Sequence, residues 1–191
     1  MKAIWQMWAQ ALNQESIPNS LTVGELSDPV EASTGFNLGI KEKAVRSSTV
    51  RWINKNDKDS KFIHDLIYHY AAEANRNAFG VDISYLSDIQ YTIYDAKEAG
   101  HYGWHFDTFW DNDTTTNDRK LSVTIQLSDG NKDYEGGEFE LDQQYEQPNQ
   151  EDLRSLGTVL VFPSPIRHRV KPVTKGIRKS LVAWVEGPKW R

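Results

Sequence analysis

The sequence predicts a mainly β fold of the α+β class, a jelly roll with N-terminal helices packed on one sheet. Three observations lead there. Across residues 57–77, Phe62, Ile63, Leu66, Ile67, Tyr70, Ala71 and Ala74 form one apolar stripe at helical spacing. From Val81 onward the texture changes to short strand-like runs separated by Gly, Asp and Asn. Within them LSVTIQLS, residues 121–128, alternates cleanly, with Leu121, Val123, Ile125 and Leu127 on one face. Helices first and then about eight strands make a roll with helices on one side.

Taken in order, residues 4–12 are aromatic-rich and read as an edge strand or the start of a helix. Residues 14–31 mix polar and apolar positions as a short helix does, with Pro18 near its start. Residues 33–48, STGFNLGIKEKAVRSS, carry turn signals and a basic centre at Lys41, Lys43 and Arg46, and read as a loop able to act as a lid. TVRWI, 49–53, is a short strand. Asp57 or Asp59 can cap the long helix, and Gly80 follows its end. Residues 83–94 make one strand or two, and 101–109 the next. Turns at Asp129-Gly130 and Gly136-Gly137 flank a strand at 139–141. GTVLVF, 157–162, is a buried strand, and 170–173 and 179–186 close the series. The whole reads as one domain over 1–191, with 1–80 as helical support and lid loop and 81–191 as the β core.

Composition narrows the function. Hydrophobic residues are only 38% of the chain, so the seven Trp supply much of the apolar burial. A net charge of −5 gives no general attraction to nucleic acid or to an anionic membrane. The absence of cysteine excludes disulfides and thiolate metal sites. No run is long enough to span a membrane and the N-terminus lacks a signal-peptide pattern, which predicts a cytoplasmic protein.

The chemistry centres on residues 89–109, IQYTIYDAKEAGHYGWHFDTF. On a strand, His105 and Asp107 would share a face and could share one small ion. A further histidine, His168, lies in FPSPIRHRVKPV, and Arg178 follows it by ten residues. Two imidazoles and one carboxylate hold Fe(II) while leaving three positions open. The plainer readings are a hydrogen-bonded His–Asp pair and a surface ion pair for Arg178; the four residues together favour the metal site.

Three blocks resemble the Fe(II)/2-oxoglutarate-dependent dioxygenases, in their prolyl 4-hydroxylase-like branch: GHYGWHFD at 100–107, YEGGEFEL at 134–141 and GTVLVFPSPIRHRVKPVTKGIRKSLVAW at 157–184. The resemblance implies a double-stranded β-helix, a form of jelly roll, with the N-terminal helices on its larger sheet. It implies His105, Asp107 and His168 as iron ligands, O2 and 2-oxoglutarate as cosubstrates, and ascorbate as an auxiliary reductant. Arg178 would grip the distal carboxylate of 2-oxoglutarate through paired hydrogen bonds, helped by Ser180 and Tyr94. Thr124 and Gln126 would border the cosubstrate if the second face of their strand lines the barrel. Tyr102 and Trp184 would lie near the substrate, and Trp104, Phe109 and Trp110 are further aromatics able to cradle a pyrrolidine ring. Many collagen-type relatives carry Lys at the place of Arg178, so the likeness is closer to oxygen-sensing and microbial or ribosomal prolyl hydroxylases.

The function so implied is hydroxylation of a prolyl residue in a protein, such as a ribosomal or other flexible segment, coupled to conversion of 2-oxoglutarate to succinate and CO2. Two alternatives stand beside it, a hydroxylase of a free amino acid or other small metabolite, and a non-catalytic cupin-like binding module. An oxygenase of alkylated nucleic acid fits poorly, because RKSLVAW lacks that branch's arginine-rich signature and the chain has no basic surplus.

Overall fold

The computed structural model describes residues 3–12, 15–33, 43–54, 60–108 and 115–190. Helix α1, Ser16–Glu25, carries Pro18 in its first turn, where a missing N–H costs little. Helix α2, Lys61–Ala74, buries Ile63, Ile67, Ala71 and Ala74, one residue every three or four. Phe62 stays 37% exposed, so the buried stripe is narrower than the sequence pattern. A π-helical turn, Asn75–Phe79, follows, and Gly80 ends it at φ 64°, a left-handed position that glycine adopts without strain. The expected caps Asp57 and Asp59 lie outside the described residues.

The strands in chain order begin with β1 (Gln6–Trp8), β2 (Val30–Glu31), β3 (Arg46–Ser47) and β4 (Thr49–Ile53). After α2 come β5 (Tyr85–Leu86), β6 (Ile89–Asp95), β7 (His101–His105) and β8 (Asn117–Gln126). Next are β9 (Tyr134–Gly136), β10 (Phe139–Leu141) and the short helix α3 (Gln150–Leu153). The last three are β11 (Val159–Pro163), β12 (His168–Val170) and β13 (Val173–Pro188). Residues 83–94 thus hold two strands, and residues 4–12 hold an edge strand antiparallel to β11. The larger sheet runs β1-β11-β8-β13-β6-β4-β2, with β5 and β9 also on β13; the smaller runs β10-β12-β7-β3. All these pairings are antiparallel, and the two sheets form the double-stranded β-helix that the motifs implied.

Directly opposed residues share a face of a sheet, so the register sorts the larger sheet into two surfaces. One surface carries Leu121, Val123, Ile125, Leu181 and Ala183, and packs under Ile63 and Ile67 of α2. Each fully buried isoleucine there contributes roughly 1.5–3 kcal/mol. The other surface faces the smaller sheet and is largely polar. One row crosses it as Thr92–Ser180–Gln126, a second as Trp52–Gln90–Val182–Thr124–Leu160, a third as Trp184–Ser122–Phe162. A second apolar cluster, with Phe139, Leu141, Leu160, Phe162 and Val170, closes the rest of the space between the sheets.

Two irregularities break the alternation. Val185 pairs with Leu121 but Glu186 pairs with Arg119, so β8 has one residue too many. Arg119 therefore takes the inward slot that Lys120 would otherwise hold. Likewise His168 pairs with His105 but Val170 pairs with Tyr102, so β7 has an extra residue. Tyr102, three positions from His105, thereby comes to the same face. Such bulges commonly re-aim side chains near functional sites.

Candidate metal and cosubstrate site

His105 ends β7 and His168 begins β12, and the two are direct cross-strand partners with ring centroids 4.1 Å apart. Asp107 is not on the strand. It sits two residues beyond it, held by a backbone N–H that donates to Ser164 O at 3.1 Å. A turn, rather than strand alternation, brings the carboxylate to the histidines. Its Oδ1 lies 3.7 Å from His105 Nε2 and its Oδ2 lies 3.6 Å from His168 Nε2. The three ligand atoms fall within 4.8 Å of one another, a spacing able to hold one metal ion.

The surroundings orient each group. His105 Nδ1 meets Gly103 O at 2.8 Å and His168 Nδ1 meets Ile166 O at 2.9 Å, so the Nδ1 protons are donated there and both Nε2 lone pairs face inward. Burial and the neighbouring His168 push the His105 imidazole down to about 3, which keeps it neutral. Burial alone would raise the Asp107 carboxyl, but His168, His105, Arg119 and a 2.6 Å bond from Ser122 Oγ outweigh it and hold it at about 2. Ser122 in turn meets Ser164 Oγ at 2.9 Å. Tyr102 stacks on His105, centroids 3.5 Å apart and planes 12° apart, and burial raises its hydroxyl to about 12, so it stays protonated.

A cavity of about 180 Å³ opens beside this cluster. Arg178 lines it and is only 2% exposed. Its Nη1 donates to Ser180 Oγ at 3.4 Å, its Nε has no partner, and no carboxylate among the described residues pairs with it. Gly137, at φ 63°, lets the backbone pass close; a Cβ there would stand 3.1 Å from Arg178 Cδ. A buried guanidinium without a counter-ion is costly, by several kcal/mol in order of magnitude. The cavity wall therefore presents a buried cation suited to an anionic ligand.

Tyr94, Thr124, Tyr102 and Trp184 line the same cavity. Tyr94 lies opposite Arg178 across the β6–β13 ladder, its ring 5.4 Å from the guanidinium carbon. Ser180 touches Arg178 without lining the cavity, and neither does Gln126, whose Oε1 is buried without a partner. Trp104 is turned outward, against Arg169 at 4.6 Å and Arg167 at 5.3 Å, as alternation from the inward His105 requires; the β7 bulge gives the inward slot of Gly103 to Tyr102. Phe109 and Trp110 lie outside the described residues, as does most of the 33–48 loop. Arg46, read from the sequence as part of that loop, is 8% exposed and lies on β3 with its side chain in the cavity wall. Arg119, Ser122 and Gln90 also line it and carried no motif signal.

Residues 89–186, just over half of the chain, match the sequence model of the 2OG-Fe(II) oxygenase superfamily. The chain belongs to this superfamily. A PKHD-type hydroxylase of Synechococcus sp. (strain CC9902) is 39% identical over 85 residues, which cover 44% of this chain and 36% of the relative. The chain spans 36–43% of the length of the first curated relatives it matches. A solved Pseudomonas putida prolyl-4-hydroxylase superposes with a TM-score of 0.70 at 18% identity, over 98% of this chain and 94% of that one. A Trichoplax adhaerens prolyl hydroxylase, solved with a hypoxia inducible factor peptide fragment, gives 0.73 at 14% identity, over 95% and 83%. These likenesses bear on the fold.

Oxygenases of this superfamily use Fe(II), 2-oxoglutarate and O2. The donor set fits Fe(II), with two imidazoles and one ionised carboxylate converging from one side. Arg178, buried with no carboxylate partner among the described residues, fits a dicarboxylate whose far end lies away from the metal. No helix among the described residues is long and apolar enough to cross a membrane.

Proposed function

We propose that this chain hydroxylates a prolyl residue in a protein or peptide, using Fe(II), 2-oxoglutarate and O2. One oxygen atom of O2 enters the target C–H bond as a hydroxyl; the other ends in succinate, as 2-oxoglutarate loses CO2. His105, Asp107 and His168 would hold the iron, which supplies, with O2 and the keto acid, an oxidant able to attack an unactivated C–H bond. Arg178 would bind the distal carboxylate, with Tyr94 and Ser180 beside it and Thr124 on the floor. The Ser122 and Ser164 hydroxyls keep Asp107 oriented, and the Gly103 and Ile166 carbonyls keep both imidazoles in the ligating tautomer.

The observation that carries this reading is one cavity that joins the triad to a buried Arg178 with no carboxylate partner among the described residues. For a prolyl substrate the support is the mouth. Trp52 is 44% exposed and Phe106 36% exposed, and both line the cavity with Tyr102 and Trp184. Exposed aromatics around an opening suit a rigid apolar ring carried on an extended chain. The likeness to solved prolyl hydroxylases points the same way. The test is mass spectrometry of proline-containing peptides incubated with Fe(II), 2-oxoglutarate and O2. A gain of one oxygen on proline, matched by succinate release, is expected. Turnover of free L-proline with none on any peptide would assign the chain to small-molecule hydroxylases instead.

A further inference from the structure

We propose that the substrate presents a carboxylate close to the carbon that is oxidised, and that Arg46 binds it, with Arg119 on the same wall. This rests on the reading of the cavity as a hydroxylase site and specifies what enters it. Among the described residues lining the cavity, three guanidiniums, Arg46, Arg119 and Arg178, face one carboxylate, Asp107. Asp107 belongs to the triad and Arg178 to the 2-oxoglutarate end, and Arg119 is under the influence of both Asp107 and Glu186. Arg46 is the guanidinium of this wall whose hydrogen-bond partners are all neutral. The chain as a whole is negative at −5, so this cation is local to the mouth.

Arg46 is placed as a binding group. Its Nε donates to Ser48 Oγ at 2.9 Å, its Nη2 to Gln90 Oε1 at 3.1 Å and its Nη1 to Ser33 O at 3.3 Å. All three acceptors are neutral, and no carboxylate among the described residues pairs with it. A guanidinium offers five N–H donors, so two are left. A merely structural clasp between β3 and β6 would need hydrogen bonds but not a buried charge, whose desolvation is unfavourable unless an anion completes it. The guanidinium lies 4.5 Å from the Tyr102 ring, and that ring stacks on His105 at 3.5 Å. An anion on Arg46 would therefore sit only two ring contacts from a metal ligand. Arg119, 3.6 Å from the Trp184 ring, is held over a second aromatic of the same wall. Arg46 is held by its three hydrogen bonds and its aromatic contact before any substrate arrives, which favours forked recognition of a carboxylate.

The carboxylate could be an acidic side chain next to the target proline or the α-carboxylate of a free amino acid, and paired probes separate these. Protein loaded with Mn(II) and 2-oxoglutarate under argon is titrated calorimetrically with a capped peptide whose proline is flanked by Glu, and with its Gln counterpart. L-Proline and L-prolinamide form the second pair. In at least one pair the acid should bind about tenfold or more tighter than the amide, as for a charge pair in a desolvated site. Arg46→Gln should erase that preference and Arg46→Lys keep part of it, without altering the titration of 2-oxoglutarate itself. The acid–amide comparison in the unaltered protein needs no variant to fold. Equal binding of acid and amide in both pairs overturns the proposal. If both peptides gain oxygen equally in the aerobic Fe(II) reaction and neither pair separates acid from amide, it falls while the prolyl-peptide reading stands. If L-proline is preferred over prolinamide and no peptide reacts, carboxylate recognition stands and the peptide reading falls.

Discussion

The floor of the cavity and its mouth are built by different rules. The floor around Arg178 lies on regular ladder, where β6, β13 and β8 pair without a break from Arg178 to Trp184. Strict alternation there sends Arg178, Ser180, Val182 and Trp184 to one face and Leu181, Ala183 and Val185 to the other. The mouth depends on two bulges and a turn. Arg119 and Tyr102 reach it only because β8 and β7 each hold one residue too many, and Asp107 only because the chain turns after His105. Where a ladder is regular, its period can be read from the residues. Where it is broken, the same period points side chains the wrong way.

That difference explains what was legible. The apolar face of LSVTIQLS and the stripe of α2 announced the core, and the alternation of 178–184 announced the floor. Arg119 shares its parity with Leu121, so alternation assigns it to the side under α2, and only the β8 bulge reverses that. Tyr102, of opposite parity to His105, reaches the face of His105 for the same reason in β7, while Trp104 stays outward. Arg46 was obscured differently. Its neighbours Lys41 and Lys43 suggested a solvated basic loop, whereas a two-residue strand and three neutral acceptors bury it. Those acceptors come from positions up to 44 residues away, which no local pattern shows.

The largest effect should come where floor and mouth meet, at the metal. His105→Ala or Asp107→Ala should abolish metal binding and turnover, exceeding the roughly 10–100-fold typical of groups that only orient ligands. The fold should survive, because neither side chain belongs to the apolar clusters. Metal content measured beside circular dichroism checks both halves. Full activity in a metal-verified His168→Ala variant would remove the triad assignment.

Next comes the floor itself. Arg178→Ala should weaken 2-oxoglutarate by about 2–5 kcal/mol, the range for truncating one partner of a buried charge pair. Arg178→Lys should retain part of it, since the charge stays and the fork goes. A further variant sharpens the observation that no carboxylate among the described residues pairs with Arg178. Arg178→Met should raise the melting temperature of the cosubstrate-free protein, because an uncompensated buried charge is replaced by an apolar chain. A fall in that temperature would mean that Arg178 already has its counter-charge.

Ser122 tests the joint between the regular floor and the turn-borne carboxylate. It stands in the row with Trp184 and Phe162, and its hydroxyl donates to Asp107 Oδ2. Ser122→Ala should cost roughly 10–100-fold in metal affinity, the usual loss when a ligand's orienting partner goes. The affinity for 2-oxoglutarate at saturating metal should change far less. If both fall together, the loss is a collapse of the floor rather than a freed carboxylate.

The smallest effect is one that neutral pH hides. Unfolded, His105 titrates near its ordinary value of 6.5; folded, burial and His168 hold it down at about 3. Between those values the unfolded chain binds a proton that the folded chain refuses, so stability falls as pH drops through this window. Asp107 adds a second window of the same sign below its ordinary 3.8, where the folded carboxylate, held at about 2, still resists protonation. The metal-free protein should therefore melt at progressively lower temperature from pH 7 down to pH 4, within the His105 window. His105→Gln should flatten that slope while matching the parent near pH 7 more closely than at pH 4, because glutamine cannot take up the proton. Parallel melting curves for the two proteins would show that His105 is not held neutral. The comparison of floor and mouth would then need a solvated imidazole at its junction, and the tautomer set by Gly103 would no longer follow.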